Sequence, residues 1–206
     1  QDIKVASGTL KQYPDFQSQF VAPHHVAVWL PDGYSTKEQY AVLYMHDGQM
    51  LFDANTTWNK QEWRVDEVAG QLMAQSKTKK FIVVAIWNGG SNRHRAYFPQ
   101  KAFESLTQKQ QDSLYALGKD HDQPLFAGKI ESDNYLKFIV KELKPFVDHT
   151  FSVKTKKEDT FVAGSSMGGL ISMYAMCEYP DVFGGAACLS THWIGTFEAK
   201  NKTVPQ

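Results

Sequence analysis

Neither sign of charge is in excess in this chain: 22 Lys and Arg stand against 22 Asp and Glu. That balance leaves no basic stripe for a nucleic-acid backbone or an anionic membrane surface. No apolar run reaches the ~18 residues that a membrane span requires, and no internal repeat or low-complexity tract is present. Cysteine is scarce. Cys177 and Cys188 form no disulfide framework, and their apolar sequence surroundings predict buried free thiols. No group of His, Cys and Asp has metal-ligand spacing, and paired His24-His25 at a strand end reads as exposed structure, so no metal and no cofactor is expected. A small molecule is left as the expected partner.

What the chain does have is apolar bulk. Of its 206 residues 42% are hydrophobic and 13% aromatic, enough for one well-packed α/β domain spanning 1–206. It begins at Gln1 without a methionine. That start fits a periplasmic or secreted protein after removal of its signal peptide, and a trimmed chain would begin the same way.

Residues 3–10 and 24–30 read as antiparallel opening strands, the second ending at Pro31-Asp32-Gly33. Residues 40–45 and 81–87 are apolar runs suited to strands buried on both faces, and 63–74 between them has helical spacing. Strand, helix, strand in that order implies parallel pairing with right-handed crossovers. The polar, Gln-rich segment 98–128, with a helix expected over 105–117, reads as an insertion over the active-site edge, since it lacks apolar residues for a core of its own. An amphipathic helix follows at 134–147, with Pro145 expected to limit its last turn. Residues 183–190 read as a further strand with both faces apolar, hence interior.

The decisive motif lies between these last elements. An apolar strand at 160–163 runs into Gly164-Ser165-Ser166-Met167-Gly168, and a helix follows at 170–178. This order places Ser166 on a sharp turn at the C-terminal edge of a sheet, with its hydroxyl exposed, and makes it the expected nucleophile.

With the motif in place, the chain resembles a family. Glu142-Leu143-Lys144-Pro145-Phe146-Val147-Asp148, Ala163-Gly164-Ser165-Ser166-Met167-Gly168-Gly169-Leu170 and Tyr179-Pro180-Asp181-Val182-Phe183 with Leu189-Ser190 look like the putative-esterase family of α/β-hydrolases. Esterase D, enterochelin esterases, feruloyl and acetyl-xylan esterases and mycolyl transferases belong to it. Val28-Trp29-Leu30-Pro31-Asp32-Gly33-Tyr34, Leu43-Tyr44-Met45-His46-Asp47-Gly48-Gln49 and residues 92–99 extend the likeness, the last two toward its enterochelin-esterase branch.

The resemblance implies an α/β-hydrolase fold, a three-layer αβα arrangement around a mainly parallel sheet. It also implies a serine carboxylic-ester hydrolase acting through an acyl-enzyme on Ser166, with the backbone N–H groups of Gln49 and Met167 holding the oxyanion. Gly48 is expected to let the backbone turn, and Asp47 to brace its own loop. Arg93 and Arg95 follow the strand at 81–87. Either could bind an anionic or hydroxyl-rich part of a substrate or tie the loop to a carboxylate; Arg95 is the better family match. His192 and Trp193 are expected to line the substrate pocket, with a direct base role and a purely structural one for His192 as the alternatives.

The family order of Ser, then Asp or Glu, then His puts the acid and base beyond residue 206, so the expectation is a C-terminally incomplete chain. Glu178 and Asp181, at the far end of the helix, should face the opposite edge, and Glu198 is the remaining acid. An acyltransferase of the same fold, and an esterase-like binding module without catalysis, are the alternatives to hydrolysis.

Overall fold

The computed structural model describes residues 2–120 and 123–193. Its central sheet has six strands in the order β1-β2-β4-β3-β7-β8. These are β1 (Thr9–Phe16), β2 (His24–Leu30), β3 (Ala41–His46), β4 (Phe81–Ile86), β7 (Thr160–Ser165) and β8 (Gly185–Leu189); β5 (Gly118–Asp120) and β6 (Gln123–Pro124) form a separate small hairpin. β1, β2 and β4 pair antiparallel in turn, whereas β3 pairs parallel with both β4 and β7, and β7 parallel with β8. The helices are α1 (Val65–Ala74), α2 (Arg93–Tyr97), α3 (Gln100–Glu104), α4 (Gln108–Tyr115), α5 (Ser132–Phe138), α6 (Lys144–Thr150) and α7 (Met167–Glu178).

Strand alternation divides the sheet into two apolar faces. Val28, Tyr44, Val84 and Val162 share one buried cluster with Leu136, Ile139, Leu143 and Val147 of the α5–α6 run and with Leu170 and Ile171 of α7. Trp29, Met45, Val83, Ala85 and Ala163 share the other with Leu51, Phe52 and Ala69 of α1. On that second face Leu43, Phe81, Phe161 and Ala187 line an open groove of about 400 Å³.

Several sequence expectations shift. The first strand is not 3–10 but Thr9–Phe16, because the N–H groups of Lys4 and Ala6 are taken by the carboxylates of Asp53 and Asp66, at 3.0 and 2.5 Å, and not by a neighbouring strand. The helix expected at 105–117 is shorter, α4 at Gln108–Tyr115, since Gln110 accepts the Thr107 N–H at 2.9 Å and starts the helix there in a capping box. Phe98, Phe103, Leu114, Leu125 and Phe126 of the 98–128 segment lie in the main core. Pro145 does not end its helix. A π-helical turn at Ile139–Leu143 precedes it and absorbs the missing N–H, so α6 runs on to Thr150.

β8 is an edge strand among the described residues, not an interior one: it pairs with β7 on one side, and Leu189 is 50% exposed. Cys177 is a free thiol, as expected, but exposed; it lies on the outer side of α7, and Cys188 is half-buried on the edge strand. His24 and His25 are half-buried, stacked on Phe138 and Trp87. Glu198 lies outside the described residues.

Candidate active site

β3 and β7 run parallel with Met45 opposite Ala163, so the chain leaves both at the same sheet edge. From β7 it enters a turn whose single hinge is Ser166, at φ 59° and ψ −120°, and goes directly into α7. A non-glycine residue held there costs on the order of 1–3 kcal/mol, which the surrounding turn must supply. The turn is closed on both sides. Ser166 donates its N–H to Leu189 O at 2.9 Å, and its carbonyl accepts from His192 N–H at 3.1 Å and Gly169 N–H at 3.0 Å. Gly164 is needed because a Cβ there would lie 2.4 Å from the carbonyl oxygen of Gly168. Met167 opens α7, where first-turn N–H groups have no acceptor within the helix and face a position suited to negative charge.

From β3 the chain enters a one-turn 3₁₀ helix, Gly48–Met50, that carries Gln49 beside this turn. Asp47, at φ 57°, makes the sharp change of direction. Gly48 is therefore not the hinge. It is glycine because a Cβ would meet the Trp87 ring at 2.4 Å and the Ile86 backbone at 2.9 Å. The Gln49 side chain accepts the Asn88 N–H at 3.2 Å, which ties the loop after β3 to the loop after β4.

Under this loop lies a buried polar cluster. Asp47, 3% exposed, accepts two bonds of 2.7 Å from Arg93 and one of 2.6 Å from the Asn88 amide. Burial disfavours the Arg93 charge, but its bonds to Asp47 outweigh that and hold its pKa above the ordinary value. Removing one member of such a pair strands the other, at a cost of roughly 3–5 kcal/mol. Asp47 N–H donates to the Tyr97 hydroxyl at 3.3 Å, and Tyr135 meets His46 Nδ1 at 2.8 Å. Burial lowers the pKa of His46 to about 4, with Asp47 and Arg93 pulling in opposite senses, so the ring is neutral at ordinary pH. Burial drives both tyrosines upward.

The structure thus brings Ser166, Gln49, Met167 and His192 to one edge, His192 through its backbone. Trp193, 52% exposed, follows it. Arg93 braces Asp47. Arg95 is tied to Glu131, at 3.0 Å. Glu178, at the far end of α7, pairs with Lys101. Sequence reading missed His46, Asn88, Tyr97 and Tyr135 as parts of the site. The His46-Asp47 junction and the Asn88-Gly89-Gly90 turn carried a local signal. Tyr97 and Tyr135 carried none, because they meet the loop from 50 and 89 residues away.

Comparison with known proteins bears on the family and the fold. A family model described as "Putative esterase" matches residues 18–127 and 126–203. An endo-1,4-beta-xylanase/feruloyl esterase of Xylanibacter ruminicola is 29% identical over 174 residues, covering 79% of this chain and 19% of that protein. The ferri-bacillibactin esterase BesA of Bacillus subtilis is 23% identical over 184 residues, covering 86% and 57%. Among solved structures, the BES protein of Bacillus cereus superimposes with a TM-score of 0.68 at 16% identity, covering 98% of this chain and 69% of that one. An IroE-like serine hydrolase of Shewanella oneidensis gives 0.63 at 24% identity, covering 89% and 50%. The chain spans less than two thirds of the length of these two curated relatives. The fold is that of the α/β-hydrolase esterases, and the chain belongs to the esterase family that this model defines.

Proposed function

We propose that the protein is a serine carboxylic-ester hydrolase. Ser166 attacks the ester carbonyl, the Gln49 and Met167 amides hold the oxyanion, and water releases the acyl group from the serine. The observation that carries this reading is the backbone of Ser166: φ 59°, ψ −120°, between a buried strand and a helix N-terminus. A binding protein has no need to maintain that strain. The proposed general base is a histidine in the part of the family's length that this chain does not span. His192, at the same edge, lines the pocket.

The proposed substrates are small esters of the kinds named for the relatives, feruloyl esters of carbohydrate and siderophore esters. Ser166→Ala in the full-length protein tests the chemistry. Hydrolysis of p-nitrophenyl acetate, feruloyl and catecholate esters should fall on the order of 10⁴-fold or more with an unchanged melting temperature. Retention of more than about a tenth of the activity overturns the assignment.

A further inference from the structure

The guanidinium of Arg93 spans the two chain segments that carry the proposed oxyanion donors. It holds both carboxylate oxygens of Asp47 at 2.7 Å, and its Nη2 also lies 3.4 Å from the carbonyl oxygen of Ser165. Asp47 immediately precedes the 3₁₀ turn that carries Gln49. Ser165 immediately precedes Ser166 and Met167. The β3–β7 ladder ends at Met45 and Ala163, short of both donors, so it cannot by itself set their separation. Both segments also bend through positive φ, at Asp47 and at Ser166, and need an external brace.

The contacts around the guanidinium are tight. The Tyr97 ring lies 5.2 Å from its centre, Asn88 holds Asp47 Oδ1 from another side at 2.6 Å, and a Cβ at position 168 would come within 3.1 Å of Asp47 Oδ2. The carboxylate is therefore wedged directly against the first turn of α7.

We infer that Arg93 is a positioning residue: through Asp47 and the Ser165 carbonyl it fixes the spacing of the Gln49 and Met167 amides, and so stabilises the transition state rather than the bound substrate. The inference rests on the proposed roles of Ser166 and those two amides. A planar fork can bridge a carboxylate and a carbonyl in one plane, whereas an ammonium group is a single point of charge, so lysine is no substitute.

The test uses the full-length protein carrying Arg93→Lys or Arg93→Met, with p-nitrophenyl acetate as substrate and phenylboronic acid as a mimic of the tetrahedral adduct. Loss of a well-placed oxyanion donor is worth 10²–10³-fold, so kcat should fall on the order of 10²-fold in both variants. KM should stay within about threefold, and boronate affinity should weaken in step with kcat. If Arg93→Met does not fold, Arg93→Lys decides alone. The inference is overturned if Arg93→Lys keeps kcat within about threefold of wild type, or if KM rises with kcat unchanged, which would make Arg93 a substrate contact. Ser166→Ala, run alongside, separates the two levels. An active Ser166→Ala protein removes the whole site reading, whereas an inactive one beside fully active Arg93 variants removes only this inference.

Discussion

The N–H of His192 donates to the carbonyl oxygen of Ser166 at 3.1 Å, and the N–H of Ser166 donates to Leu189 O at 2.9 Å. The turn that holds the serine is therefore stitched to the end of β8 by main-chain bonds, which any residue but proline at position 192 can make. His192→Ala in the full-length protein should leave the melting temperature unchanged. Its kcat should fall by less than about tenfold, against the 10²–10⁴-fold typical of removing a general base. A loss of the larger size in steady-state assays would make His192 the base.

Glycines inside and outside the site differ in why they are glycine, and alanine substitutions should sort them. At Gly164 a Cβ would lie 2.4 Å from a backbone oxygen, which cannot swing away. Gly164→Ala should therefore destabilise the protein by roughly 3 kcal/mol or more, the upper range for overpacking. At Gly33, φ is +74° with nothing within 4 Å, so alanine there meets only backbone strain, about 1 kcal/mol. Urea unfolding of the two variants should show this ordering, and equal midpoints would refute the steric account.

Gly48→Ala probes the loop proposed to carry an oxyanion donor. Its Cβ would collide with the Trp87 ring and with the Ile86 backbone behind it, so the strain must be relieved by moving the loop. The expected result is a kcat lowered about 10²-fold, the size of a misplaced oxyanion donor, with a smaller loss of stability than Gly164→Ala causes. Steady-state kinetics and urea midpoints measured on the same protein check both halves of that expectation.

The parts legible in sequence are those in which local pattern and global packing agree. β3, β4 and β7 read correctly because a parallel strand buried on both faces is a continuous apolar run. The sharp turn at Ser166 between β7 and α7 read correctly because strand, glycine and helix signals coincide within a dozen residues. Long-range events overrode local pattern elsewhere. Ile3 and Val5 have strand-like residues around them, yet carboxylates at Asp53 and Asp66 capture the neighbouring N–H groups. The π turn before Pro145 has no sequence signature apart from the proline itself, and the tyrosines under the loop after β3 come from distant helices.

His46 gives the fold a pH dependence whose sign follows from its burial. Desolvation lowers its pKa in the folded protein to about 4, from an ordinary 6.5. Between those values the unfolded chain binds a proton at this position and the folded protein does not. The histidine's contribution to stability is thus fully present above pH 6.5 and is lost progressively as pH falls toward 4, by up to about 3 kcal/mol. Other groups titrate in the same range. Burial also lowers the pKa of His24 and of His25, whereas it raises that of Asp66, which acts in the opposite sense. The difference between wild type and His46→Gln isolates one residue. Glutamine keeps a polar group near the Tyr135 hydroxyl, does not titrate, and should cost stability at pH 7.5, where the native imidazole is neutral and bonded. The gap between the two proteins should then narrow by about 2 kcal/mol in urea unfolding as pH is lowered from 7.5 to 4.5, because only the wild type pays for excluding a proton from position 46. A gap independent of pH would show that His46 takes up its proton in the folded state, and that the cluster beneath the loop after β3 admits a second positive charge beside Arg93.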